Sequence, residues 1–342
     1  MSMSFRYGAP EDLEAIGVFL SRIYGCSPQA PLLQPRHMYW KYFHPHPEWE
    51  GSRSFLMTDG ERIIAHLAAV PSVLLTPAGP RTCAHFIDWA ADPLAMGAGA
   101  ALLRRLMRKV EFTFCIGGSI DNQRLLPVLG FRASGETHIL FRPLRPLRQA
   151  WLHPARDLGL PARVLRNAWW SAIPIRARSR WHCEPSDPEK APEWIWHLPQ
   201  SGMIPHRRSV ALVRYFLASP CEKFQFYLIS DQSGIQGAVL FCFRSGQARV
   251  ADLWIANPSV ERLRIALEAA MRTARNLPIE EFVISVSTHP LREAAALSGL
   301  KLAHTRPIMS MPAIDIQGVP IDTNLGLDDA SYLGDSRIFY YS

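Results

Sequence analysis

An apolar run, "IDWAADP", carries Asp88 and leads into Met96, Gly97, Ala98, Gly99, Ala100 and Ala101, which open a helical stretch reaching Met107. The first N–H groups of a helix have no partner inside it and lie at the positive end of its dipole, so such a start attracts phosphate. Small residues there either let a ligand reach the backbone or simply ease a strand-to-helix turn, and the residues alone leave both readings open. Asp88 on the preceding strand is an acid that either handles a proton or pairs with a nearby basic side chain. His85 and Asp121 are weaker candidates for moving a proton. Asn122 either touches a bound ligand or caps the helix that follows it.

These residues need elements to hold them. "FRYGAPEDLEAIGVFLSRIYG" reads as a short strand and then an amphipathic helix. "SRSFLMTDGERIIAHLAAVPSVLLTPAGPRTCAHFIDWAA" alternates apolar runs with turns at Asp59-Gly60 and Pro77 to Pro80, the pattern of successive antiparallel strands. After the helix, "VEFTFCIGGSIDNQRLLPVLGF" gives strand, loop, short helix and Gly130-Phe131, and "THILFRPL" gives another strand. A similar order recurs in "KFQFYLISDQSGIQGAVLFCFRSGQARVADLWIANP", "SVERLRIALEAAMRTARN" and "EEFVISVSTHPLREAAALSGLKLAHTRPIMSM". "IDWAADP" beside "ADLWIANP", and "LLPVLGF" beside "AALSGLKL", point to two divergent copies of one unit. The expected fold class is therefore α/β (α+β): two tandem domains, each a mixed, mostly antiparallel sheet flanked by helices.

The 342 residues suit two domains, at 1–142 and 189–314, with a connector over 143–188 and a tail over 315–342. Tyr332, Ile338, Phe339, Tyr340 and Tyr341 predict an ordered tail. Hydrophobic residues at 48% and charged residues at 20% describe a folded globular chain. No apolar run is long enough to span a bilayer and no basic-then-apolar leader opens the sequence, so the expected location is cytoplasmic. Six cysteines without a C-x-x-C pair predict buried, reduced thiols, and "HPHPEW" offers no metal-ligand spacing, so no metal is expected. The net charge of +7 suits an anionic partner.

The connector is rich in Arg, Pro and Trp, with Asp157 its only acid before Glu184. That composition is compatible with single-stranded nucleic acid or, across 142–182, with peripheral contact to an anionic membrane. No RNA-binding signature accompanies it, so nucleic acid is disfavoured, and the simplest expectation packs Trp169 and Trp170 onto the domains with the arginines in solvent.

Asp92-Pro93, Gly99, Ala101, Asn122 and Gly130-Phe131 together resemble the signature of the GNAT acyltransferases over residues 5–142, with a weaker copy over 190–312. The resemblance implies a tandem GNAT protein that uses acetyl-CoA or another acyl-CoA as co-substrate and a small-molecule amine as acceptor. It places the pyrophosphate on Met96 to Ala101, the pantetheine on Trp89, Ala90 and Ala91, the cofactor or loop contact on Asn122, and the base on Asp88. It also carries the association of such tandem proteins with bacterial polysaccharide and envelope synthesis. The chain departs from the pattern at Met96, where Arg or Gln is usual, leaving Arg104 and Arg105 as substitutes, and at Leu126, where a Tyr acid is common. In the second copy "NPSVERLR" lacks the glycine loop and Ala295 replaces the Tyr, so that copy is expected to bind no CoA.

Overall fold

The computed structural model describes residues 3–152, 158–172, 175, 180–198, 204–221, 223–244 and 246–311. The whole tail and parts of the connector lie outside them, as does the expectation that the tail is ordered.

The first half runs β1 (Met3–Tyr7), α1 (Leu13–Tyr24), α2 (Pro35–Tyr42), β2 (Ser54–Asp59), β3 (Arg62–Thr76), β4 (Gly79–Ala91), α3 (Ala98–Met107), β5 (Phe112–Ile116), α4 (Ile120–Val128) and β6 (Arg132–Pro143). The connector holds α5 (Pro146–Leu152) and α6 (Leu160–Ala172). The second half runs β7 (His182–Pro185), α7 (Val210–Leu217), β8 (Lys223–Asp231), β9 (Gly234–Arg244), β10 (Gln247–Ile255), α8 (Val260–Asn276), β11 (Glu281–Val286), α9 (His289–Leu297) and β12 (Lys301–Met311).

Among the described residues, all twelve strands form one sheet in the order β1-β2-β3-β4-β5-β12-β6-β11-β10-β9-β8-β7. Every neighbouring pair is antiparallel except β4–β5 and β10–β11. The order reads alike from both ends, as two copies of one unit would, except that each half contributes its last strand to the other. β12 lies beside β5, and β6 lies beside β11. The spatial halves therefore differ from the sequence division at residue 142 by one exchanged strand, which periodicity cannot reveal because pairing partners leave no mark in a strand's own pattern.

Helices cover both faces. One core joins α1 and α2 to α7 across the two halves, through Phe19, Trp40, Tyr42, Tyr215, Phe216 and Trp254. Trp40 stacks on Tyr215 with ring centres 4.9 Å apart and donates its indole N–H to the Tyr215 carbonyl at 3.0 Å. On the other face α3 packs on β2–β4, and α8 and α9 pack on the second half. Cys83, Cys115 and Cys242 are buried as expected, whereas Cys26, Cys183 and Cys221 are only half-buried, and all six are free thiols. Trp170 is buried but Trp169 is 81% exposed, so only one of the connector tryptophans packs as expected.

Candidate functional site

β4 and β5 make a fork. They pair only from Cys83–Phe112 to His85–Phe114, yet β4 continues to Ala91, so Ile87 to Ala91 diverge from β5. A bulge drives the divergence: Asp88 and Trp89 oppose the single residue Leu67 of β3, and Asp88 takes a left-handed φ of 48°. Such a conformation is tolerated by Asp at a cost of about 1–2 kcal/mol. At the vertex His85 stacks on Phe114, and its Nε2 accepts the Ile116 N–H at 3.3 Å. That nitrogen is thereby committed to the backbone and is not free to move a substrate proton.

The fork opens into a cavity of about 670 Å3. Ile23 and Tyr24 at the end of α1 wall one side, Ile87 to Ala91 a second, and Cys115, Ile116 and the start of α4 a third. Gly117 and Gly118 both take left-handed φ, and the loop they form carries the chain from β5 to Ser119, whose hydroxyl caps α4 by accepting the Asn122 N–H at 3.3 Å. Ser119, rather than Asn122, is therefore the cap. Asn122 and Asp121 line the cavity mouth.

The start of α3 is built differently. Asp92 fixes the approach: its N–H donates to Ile64, and its carboxylate accepts the Leu94 N–H and the guanidinium groups of Arg22 and Arg62. Its N-cap is Gly97, at a φ of 83°, which has no side chain to satisfy the first turn. Met96 is 88% exposed beside it. Gly99 serves another purpose than ligand access. It is buried, a Cβ there would lie 3.1 Å from the Trp89 indole nitrogen and 3.2 Å from Ala91, and Trp89 donates to its carbonyl at 3.0 Å. The small residue lets α3 close onto β4, so the backbone it admits is the protein's own. Arg105 stacks on Phe5 and points to β1, away from the loop.

Asp88 lies on the cavity wall with its carboxylate already engaged. Its Oδ2 accepts from Lys41 Nζ at 2.8 Å and from the Tyr42 hydroxyl at 2.7 Å, and its backbone carbonyl lies 3.0 Å from His66 Nδ1. Burial pushes the Asp88 carboxyl up, but the charge and hydrogen bond of Lys41, with the Tyr42 hydroxyl, outweigh it and hold the group below the ordinary carboxylate range. Burial and the Asp88 charge push the Tyr42 phenol well above its ordinary value, so it remains a donor. His66 is driven by burial down to about 4 and stays neutral. Sequence reading missed Lys41, Tyr42 and His66. The available signal was Pro35 opening a short helix, "PRHMYWKY", in which a lone Lys sits between two aromatics. Leu126, at the position of the missing Tyr acid, is fully buried in the core.

The second half repeats the fork. β10 pairs with β11 only over Gln247–Val250 and then bulges before Asp252. Asp252 accepts two hydrogen bonds from Arg208, at 2.7 and 2.9 Å, and lies 3.3 Å from His206. Arg208 in turn stacks on Trp254, which packs among Trp196 and Phe226. Ser259 caps α8 by accepting the Arg262 N–H at 3.2 Å, so a side chain satisfies the first turn that the start of α3 leaves without one.

No family model matches the sequence, and no curated protein matches it. Solved structures do resemble the chain. Saccharomyces cerevisiae N-myristoyltransferase with bound myristoyl-CoA superposes with a TM-score of 0.63 at 11% identity, covering 98% of this chain and 85% of the other. A putative acetyltransferase from Pyrococcus horikoshii gives 0.57 at 12% identity, covering 97% and 95%. A GCN5-related N-acetyltransferase from Anabaena variabilis gives 0.58 at 13% identity, covering 90% and 72%. At these identities the likeness is one of fold, and it spans both halves of the chain.

Proposed function

We propose that the chain is an acyl-CoA-dependent N-acyltransferase that seats the thioester in the β4–β5 fork. The observation that carries this reading is the first half's fork, which opens into a cavity beside a helix start without a side-chain cap, whereas Ser259 caps the matching helix of the second half. The diverging β4 segment at Trp89, Ala90 and Ala91, paired with β3 on one side, turns its other backbone edge away from β5 and toward a pantetheine amide, and the first turn of α3, from Met96 to Ala101, receives the pyrophosphate. Acetyl-CoA is the simplest donor, and a cavity of about 670 Å3 also has room for a longer acyl chain.

The acceptor amine attacks the thioester carbonyl, the tetrahedral intermediate expels the CoA thiolate, and the amine proton must leave. Asp88 is the group assigned to that proton, through Oδ1, since its bonds to Lys41 and Tyr42 both end on Oδ2. After the neutral amine has attacked, the Asp88 carboxylate pairs with the ammonium of the tetrahedral intermediate, and the proton passes by way of it to water as the thiolate leaves. With Leu126 in place of an acid, the thiolate leaves unprotonated and takes its proton from solvent. We assign the acceptor to small-molecule amines, such as an amino sugar or sugar nucleotide of bacterial polysaccharide synthesis. A second reading, a scaffold that binds without turnover, is favoured by the buried Leu126 and by the commitment of Asp88 to Lys41.

Calorimetry with acetyl-CoA and a longer acyl-CoA, on wild type and Asn122→Trp, tests the site, and thiol release with candidate amines tests the reaction. Binding that the variant abolishes, followed by turnover that Asp88→Asn abolishes, is the expected result. Binding without turnover on any amine identifies the scaffold; folded wild type that binds no acyl-CoA overturns both readings.

A further inference from the structure

The connector displays a face that the transferase reading does not use. Leu147, Trp151, Leu158, Leu165 and Trp169 are each between 72% and 102% exposed, within 23 residues of chain. Their spacing is helical. Leu147 and Trp151 are four apart on α5; Leu158 lies in the turn just before α6, and Ala162, Leu165, Trp169 and Ala172 follow at intervals of three, four and three along α6. Single exposed apolar residues are ordinary, but five large ones on two neighbouring helices, two of them tryptophans, are not.

The inner face explains why the helices cannot turn to hide this row. Trp170 meets Phe141 edge-on with ring centres 5.1 Å apart and donates to the Gly299 carbonyl at 2.7 Å. Asn167 donates to Gln149 at 3.2 Å, and Gln149 donates to the buried Glu281. These buried polar bonds fix the rotation of both helices, since breaking one leaves an unsatisfied group.

Charge selects the occupant. From residue 143 to 182 the chain carries eight arginines and one acid. Arg145, Arg148 and Arg166 lie on α6 or at α5 and pair with a carbonyl, with Glu280 and with Asn167 while remaining accessible at their edges. An apolar row bordered by arginines, with tryptophans at the boundary, matches the headgroup region of an anionic bilayer, where the rings settle at the interface and guanidinium groups meet phosphate. Among the described residues no helix is long and apolar enough to cross a membrane, so the contact is a lateral one. We infer that α5 and α6 form a peripheral docking surface for anionic lipid membrane.

Co-sedimentation of the full chain with phosphatidylcholine vesicles, with and without phosphatidylglycerol, tests this. Wild type is expected to sediment with the anionic vesicles, less so in high salt, and the exposed-site variant Trp151→Ser/Trp169→Ser to bind them at least tenfold more weakly with an unchanged Tm. Salt-independent binding, equal binding by the variant, or wild type left in the supernatant overturns the proposal. So does a dimer in sedimentation equilibrium that the same variant dissolves, which would make the row a contact between copies of the chain.

Discussion

A single buried ion pair sets the polarity of the cavity wall. Lys41 and Asp88 have side chains only 1% and 8% exposed and lie 2.8 Å apart. Removing one partner of such a pair leaves an uncompensated buried charge, which costs about 3–5 kcal/mol, while replacing both with apolar residues is nearly neutral. Lys41→Met is accordingly expected to lose that amount in urea unfolding, and Lys41→Met/Asp88→Leu to regain most of it; a single variant within about 1 kcal/mol of wild type would show that the pair is solvated. His66 adds a pH dependence with a defined sign. Its imidazole is held neutral in the fold down to about pH 4 against an ordinary value of 6.5, so between these values the unfolded chain binds the proton that the native state refuses. Stability from this group is intact above pH 6.5 and falls as the pH drops toward 4, by about 3 kcal/mol in total. The urea midpoint of wild type should therefore decline across that window more steeply than that of His66→Gln.

The elements around the site divide between what a chain writes locally and what neighbours impose. Asp92-Pro93, Gly97 and the run into Met107 write the strand, turn and helix directly, because turn chemistry and helix starts are local signals. Asp88, Trp89 to Ala91 and Asn122 are grouped by the family resemblance rather than by local signals, and the cavity gathers all of them along its wall, whereas the divergence of β4 from β5 leaves no mark in the sequence. The roles of Gly99 and of Asp88's carboxylate were not legible, because each depends on a residue distant in sequence or on packing between elements: Trp89 over Gly99, and Lys41 across 47 positions from Asp88. One consequence belongs to the start of α3. Gly97→Asp places a carboxylate at an exposed position where no atom lies within 4 Å of a Cβ and where Asp tolerates the left-handed backbone. It supplies the first turn with the acceptor that it lacks and repels an incoming phosphate. Acyl-CoA affinity should drop roughly tenfold with Tm nearly unchanged; unaltered affinity would move the pyrophosphate away from this turn.

At the scale of the molecule, the exchanged strands make the two halves one folding unit. β6 closes the second half against β11, and β12 closes the first against β5, with the two strands themselves paired along their length. A fragment of residues 1–142 would keep β6 but lose both of its neighbours, and would expose the edge of β5, where Thr113 to Ile116 bond to β12 in the intact chain. Unpaired edges of that kind aggregate or leave the sheet unfinished. The shared core of α2 and α7, with Trp40 stacked on Tyr215, adds an apolar contact that neither half buries alone. Calorimetry on the intact chain should therefore show one cooperative unfolding transition, and fragment 1–142 alone should be unfolded or insoluble. Coexpression of the chain as two pieces, divided between α5 and α6, should restore a complex that stays together through size exclusion, because each piece carries a strand the other needs. Two separate calorimetric transitions, or a monomeric and folded 1–142 fragment, would mean that the exchange contributes little and that each half is stable on its own core.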